Sequence, residues 1–329
     1  MAARATHASP ERTAQRSAVD WRWMVAEFYL AVVRGLTALV ALFLGWILWR
    51  IVYLGQGAIT WEFLTDAPRH GMEEGGIFPA IFGTLCIVIL MILFALPLGV
   101  LSAIYLVEYA GKGGIARLIR AAVNNLAGVP SIVFGLFGVG FFILFIGRGI
   151  DGMLGLPSAQ PLFGQPAMLW AALTLAVLVL PVVIVSTQEA MIAVPVSHRA
   201  GSFAMGATKW QTVRRVVLPQ ARAGILTGAI LSISRGAGET APILFTGCAY
   251  YLPSLPVTEI FGVPVINPLS QFMELSYHIF IMATQSTNVA KTLPIQYGTT
   301  LVLLGLTFLL NLSAILLRIY FRRSLRKRS

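Results

Sequence analysis

Arg235 and Glu239 stand one helical turn apart in an otherwise small and apolar run, Leu231-Ser-Ile-Ser-Arg-Gly-Ala-Gly-Glu-Thr-Ala-Pro-Ile-Leu-Phe. Near the centre of a bilayer each such charge costs roughly 2.5 to 3.5 kcal/mol, and residues that expensive face a pore or a partner. A guanidinium offers a planar fork of donors to an oxyanion, and a carboxylate accepts a proton. Ser232, Arg235, Glu239, Pro242 and Thr246 recur at three- and four-residue spacing, which predicts one polar stripe on one helix. Ser234 and Thr240 flank the pair and complete the candidate pathway set. The alternative is an internal ion pair that only tethers two helices.

The elements that must position this pair are membrane helices. The chain is 57% hydrophobic and 11% charged, with a mean hydropathy of +0.80. Soluble domains carry charge on roughly a quarter of their residues. Six stretches are long and apolar enough to span, approximately 35–54, 78–106, 121–146, 167–185, 221–250 and 298–317. Breaks are expected at Pro97, at Gly128-Val-Pro130 and at Pro242, because proline lacks a backbone donor. The fold class is therefore all-α and integral to the membrane.

Basic residues set the orientation. Arg4, Arg12, Arg16, Arg22 and Arg34 precede the first span; Lys112, Arg117 and Arg120 fall in the second connection; Arg199, Lys209, Arg214, Arg215 and Arg222 fall in the fourth. Arg318, Arg322, Arg323, Arg326, Lys327 and Arg328 close the chain, whereas Arg69, Arg148 and Lys291 lie on the opposite side. The positive-inside rule then places both termini in the cytoplasm. Arg50 snorkels from the end of the first span. A net charge of +11 and a pI near 10.2 would suggest nucleic acid in a soluble protein. Here topology and anionic lipid account for them, and no nucleic-acid partner is expected.

The chain divides into a cytoplasmic N-terminal tail (1–30), a first span with its external loop (31–77), a transmembrane domain (78–318) and a basic cytoplasmic end (319–329). Residues 1 to about 25 lack apolar periodicity and read as a poorly ordered tail. The first span is too long for a signal-peptide core.

Other chemistries are poorly supported. Cys86 and Cys248 fall within spans and read as packing residues. His7 and His198 are cytoplasmic, His70 and His278 external, and their spacing suggests no metal site. Gly111-Lys-Gly-Gly lacks the upstream glycine and the hydroxyl of a nucleotide-binding loop, so this chain is expected to bind no ATP. No Ser-His-Asp set or carboxylate pair suggests catalysis.

The stretch from Pro195 to Pro219 reads as a cytoplasmic elbow. Ser197 is expected to cap a short helix stopping at Gly206, and Thr208 with Gln211 forms a capping box opening a second helix that ends before Pro219. Phe203, Met205 and Trp210 are left exposed to a partner or to the bilayer surface. A DNA-binding helix-turn-helix is disfavoured because both ends are tied to the membrane.

This elbow resembles a family. Ala200-Gly-Ser-Phe-Ala-Met-Gly206, nine residues, then Val216-Val-Leu-Pro219 is similar to the coupling loop of ABC importer permeases, whose pattern is Glu-Ala-Ala, three residues, Gly, nine residues, Ile, any residue, Leu-Pro. The spacing is intact, but Ala200 replaces the family's acidic residue and Gly201 the next alanine. Asn124-Asn-Leu-Ala-Gly-Val-Pro-Ser-Ile-Val-Phe-Gly135 and Ser234-Arg-Gly-Ala-Gly-Glu-Thr-Ala-Pro242 resemble signatures of the phosphate-specific permeases. Ala241-Pro-Ile-Leu-Phe-Thr-Gly247 is similar to the PstA rather than the PstC kind. The resemblance runs over roughly 78–318.

The resemblance implies a type I ABC importer permease with six transmembrane helices in a bacterial inner membrane, forming half of a phosphate pathway with a PstC-like permease. It implies docking of a PstB-like ATPase dimer, which carries the ATP and Mg, on Ser202, Gly206, Ala207, Thr208, Leu218 and Pro219. It also implies delivery by an extracytoplasmic phosphate-binding protein, and helix packing at Gly128, Pro130 and Gly135. The residues themselves leave open a permease for molybdate or sulfate, a secondary transporter or channel using Glu239 as a proton site, and a sensory scaffold. A secondary transporter would often show repeated halves, and the Arg-Glu stretch has no second copy.

Overall fold

The computed structural model describes residues 10–111, 113–260 and 262–326. Arg4, His7, Lys112, Lys327 and Arg328 of the sequence reading lie outside them. Contacts divide the chain at Leu54 into two units. The first is essentially one helix, α1 (Pro10–Gly55). The tail expected to be poorly ordered is thus helical from Pro10. Ala, Glu, Gln, Arg and Met dominate it, proline is tolerated at its first position, and nothing breaks the run into the apolar segment. The Arg50 guanidinium sits 5.6 Å from the Trp46 ring centre, an amphipathic pairing suited to a membrane interface.

The second unit opens with α2 (Trp61–Thr65) and a hairpin of β1 (Pro68–Arg69) and β2 (Glu74–Gly75). α3 (Phe78–Ile104) and α4 (Gly114–Leu126) follow, then α5 (Ser131–Phe137), which continues through a π-helical stretch into α6 (Arg148–Met153). α7 (Met168–Ile192) leads to α8 (Val196–Ala204), α9 (Lys209–Thr212), α10 (Leu218–Gly236) and α11 (Ala241–Thr246). A second antiparallel hairpin, β3 (Val257–Ile260) and β4 (Val263–Ile266), precedes α12 (Leu275–Gln285) and α13 (Val289–Arg326). Among the described residues six helical stretches are long and apolar enough to cross a bilayer: Trp23–Ala58, Phe78–Tyr109, Ser131–Met153, Met168–Ile192, Lys209–Gly236 and Val289–Tyr320.

Two spans differ from the sequence reading. The third starts at Ser131 because Pro130 has no N–H to offer the Leu126 carbonyl, and α4 becomes a separate helix. The fifth ends at Gly236 rather than running to residue 250. Pro242 cannot donate to the Gly238 carbonyl, and two glycines nearby favour unwinding, so the chain turns over Ala237–Thr240 before α11 begins. Pro97 does not break α3. Unwinding there would strand several backbone groups in apolar surroundings, whereas the helix forfeits one bond.

Lipid tails are as apolar as leucine, so close packing of small residues rather than water exclusion holds such helices together. Ala95, Gly99 and Ala103 line one face of α3 at four-residue intervals, and a Cβ on Gly99 would overlap Val183 of α7. Gly224 and Gly228 bring α10 equally close to Ala190 and Ser186 of α7. α7 is the most buried of the six spans, and Met91, Leu175, Ile243 and Phe272 close the core beside the end of α10.

Candidate functional site

The polar stripe is not carried by one helix. Arg235 lies in the last turn of α10 and Glu239 in the turn beyond it, yet Arg235 Nε and Glu239 Oε1 stand 3.2 Å apart. The turn is held by short-range bonds, from Gly238 N–H to Arg235 O at 3.2 Å and from Glu239 N–H to Gly236 O at 3.5 Å. Both side chains keep access to their surroundings, at 36% and 20% exposure. A Cβ on Gly236 would overlap the Met91 thioether, so α3 presses against the residue between them.

The remaining stripe residues are turned away by the break. Ser232 is fully buried and its hydroxyl finds no partner among the described residues, so it lines no open path. Pro242 is buried, and buried Thr246 returns its hydrogen to the Pro242 carbonyl at 2.8 Å. Ser234 donates to Asn311 Oδ1 of α13 at 2.7 Å. Thr240 donates to Ser276 Oγ at 2.9 Å.

That last bond leads to a residue that sequence reasoning missed. Glu274, 2% exposed and outside the six spans, accepts from Ser276 Oγ at 2.5 Å and from Tyr277 N–H at 2.8 Å. Burial pushes its carboxyl up to about 7, against the opposing pull of those hydrogen bonds. Its one sequence signal is an acidic residue immediately before the apolar start of α12, a capping position. Beside it, Thr84 Oγ1 of α3 accepts from Leu275 N–H at 3.0 Å. His278, read as external, is likewise buried at 2% exposure, and burial lowers its imidazole to about 4.

At the far end of these helices the elbow is built as two short helices about Gly206, whose φ of +77° suits a residue without a side chain. Thr208 and Gln211 form the reciprocal capping box, with bonds of 2.8 and 3.3 Å. Ser202 Oγ and Thr212 Oγ1 lie 2.9 Å apart across the elbow, and Ala207 N–H bonds to Ser202 O at 3.2 Å. Phe203, Met205 and Trp210 are exposed. Two expectations fail here. Pro195 rather than Ser197 occupies the cap of α8, its fixed backbone doing what a side chain would. The second helix also does not stop before Pro219: a π-helical turn, Val213–Val217, carries it into α10, with Leu218 and Pro219 in the first turn, where a missing N–H costs little.

Arg199 fastens the elbow. It donates to Val194 O at 2.6 Å, to Met191 O at 2.7 Å and to Glu108 Oε1 at 3.3 Å, and Lys209 lies 5.0 Å from the Tyr109 ring centre. The second and fourth connections therefore meet on one side. On the other, Lys291 pairs with Glu73 at 3.2 Å and Tyr251 donates to Pro68 O at 2.9 Å. Of the packing candidates, Pro130 caps α5 and Gly135 faces the Ala241 carbonyl and Pro242 Cα of α11 closely. Gly128 instead sits in the turn after α4, with only Asn125 O of that turn near it, so it packs no helix.

The family model described as binding-protein-dependent transport system inner membrane component matches residues 95–327. The chain belongs to that family of multi-pass inner-membrane permeases. It is 39% identical over 232 residues to the phosphate transport system permease protein PstA of Mycobacterium leprae, covering 65% of this chain and 71% of that one. It is 34% identical over 247 residues to the probable phosphate transport system permease protein PstA of Methanocaldococcus jannaschii, covering 74% and 81%. A bacterial ABC transporter involved in the import of the acidic polysaccharide alginate shares the fold, with a TM-score of 0.62 at 14% identity over 93% of this chain and 98% of that one.

Proposed function

We propose that this chain is one permease half of an ATP-driven importer of inorganic phosphate. The observation that carries the reading is the Arg235–Glu239 pair, partly open at a helix break, in a chain whose relatives are named phosphate permeases. Arg235 offers its fork to phosphate oxygens, and Glu239 accepts a hydrogen bond from the O–H that hydrogenphosphate retains at neutral pH. Sulfate carries no such proton, so its oxygens meet the Glu239 carboxylate as like charges and are rejected. Arg235 leaves Glu239 for the anion and returns when the anion departs.

Membership of the family supports a reading of the rest of the assembly. A homologous PstC-like permease completes the pathway, and an extracytoplasmic phosphate-binding protein delivers the anion. A PstB-like ATPase dimer, which holds ATP and Mg, docks on the elbow through Ser202, Gly206, Ala207 and Thr208, with Leu218 and Pro219 at the root of α10. The distribution of basic residues supports cytoplasmic termini. This chain hydrolyses nothing.

Phosphate uptake into vesicles carrying the assembled complex, with sulfate and molybdate as competitors, tests the reading. Phosphate accumulation that requires ATP and resists excess sulfate is expected. Equal accumulation of sulfate, or uptake that survives without the ATPase, contradicts it.

A further inference from the structure

The buried carboxylate of Glu274 takes no part in the pathway described above, yet it is joined to it by two hydroxyls. Thr240 Oγ1 donates to Ser276 Oγ at 2.9 Å, and Ser276 Oγ donates to Glu274 Oε2 at 2.5 Å. Thr240 is the residue after Glu239 and the last of the unwound turn. We infer that Glu274 is a positioning residue for the Arg235–Glu239 pair, acting through Ser276 and Thr240 to fix the turn that carries Glu239.

An ionised carboxylate can only accept hydrogen bonds, so Ser276 must give it its single hydrogen. Thr240 must then give its own hydrogen to Ser276. With Glu274 ionised the relay has one direction, and it leaves the Thr240 oxygen with free lone pairs beside Glu239. The turn needs such an anchor, because its own bonds are short-range and it follows Gly236 and contains Gly238.

Glu274 is itself set by parts that do not belong to the turn. Tyr277 N–H fixes the carboxylate at the start of α12, and Thr84 of α3 holds the neighbouring Leu275 N–H. A helix cap alone would need neither burial at 2% exposure nor a second hydroxyl leading to another element. Buried hydrogen-bonded chains of this kind specify one arrangement of the groups at their ends.

The inference rests on the proposed transport reading, and the test separates the two. Phosphate moved per ATP hydrolysed is measured in vesicles carrying the complex, normalised to assembled complex. Glu274→Ala and Thr240→Val are each expected to lower the yield about tenfold, the size of one lost hydrogen bond. Glu274→Gln keeps an oxygen that accepts from Ser276, and it is expected to stay within about threefold of the unaltered complex. The double variant Glu274→Ala/Thr240→Val should be no worse than the poorer single one, because both break one relay. An unaltered yield in Thr240→Val, a Gln variant as poor as the Ala variant, or multiplying losses in the double variant overturns the inference. Failure of the transport reading shows differently: the unaltered complex itself then moves another solute, and the same variants are read with that solute.

Discussion

Arg235 and Glu239 pair at 3.2 Å across the end of a helix, not along its length. On a continuous helix the two would be held four residues apart by the ladder itself. Here α10 stops between them, so the distance depends on how the turn Ala237–Thr240 is folded. A pair set on a turn can open when the turn moves, which is what a gated anion site requires.

Gly206 sets the elbow angle at φ +77°, and a side chain there costs on the order of 1 kcal/mol or more. Gly206→Val is expected to reach the membrane at normal abundance, to bind the ATPase more weakly and to transport poorly. Pull-down of the ATPase with the variant checks this, and undiminished binding contradicts the elbow's role.

Arg199 and Glu108 are 17% and 12% exposed, so removing either strands the other in partial burial. Arg199→Gln should destabilise the permease by about 1 to 3 kcal/mol, and more than Glu108→Gln, because Arg199 also holds the Met191 and Val194 carbonyls. Thermal unfolding of both single variants and the double one measures the coupling. Equal losses from the two single changes contradict the carbonyl contribution.

Glu274 titrates near 7 in the fold, against an ordinary carboxyl value of 4.5. Its folded pKa is raised, so between about 4.5 and 7 the folded state binds more protons than the unfolded one. Stability from this group is complete below about 4.5 and falls as pH rises through 7, with a limiting slope of about 1.4 kcal/mol per pH unit. Glu274→Gln should flatten that segment of the curve of melting temperature against pH. An unchanged curve places the titration elsewhere.

The charged pair, the six spans, the break near Pro130, the capping box and the glycine elbow were legible because each rests on local chemistry: hydropathy over twenty-odd residues, a missing N–H, a φ only glycine likes. The end of α10 was half legible. Pro242 announced a break, but the unwinding falls on the residues before it, and only the packing of Gly236 against Met91 shows where the helix stops. Ser232 looked like a pathway residue by spacing alone, and tertiary contacts buried it. Glu274 could not be singled out from sequence, since its own partners, Ser276 and Tyr277, are those of an ordinary helix cap, and the links of its neighbours Ser276 and Leu275 to Thr240 and Thr84 come from elements far along the chain. The N-terminal helix went unread because its polar stretch has no apolar face to betray the period.

The central claim is that Arg235 handles the anion rather than tethering helices. The direct measurement is phosphate uptake by assembled complexes carrying Arg235→Gln, Glu239→Gln and both changes together, with abundance and assembly matched. Single changes leave one charge without its partner and confound folding with function. The double change removes both charges at once, so a mere tether is relieved and uptake recovers. The account predicts that the double variant assembles well and transports phosphate poorly; near-normal uptake by that variant would contradict it.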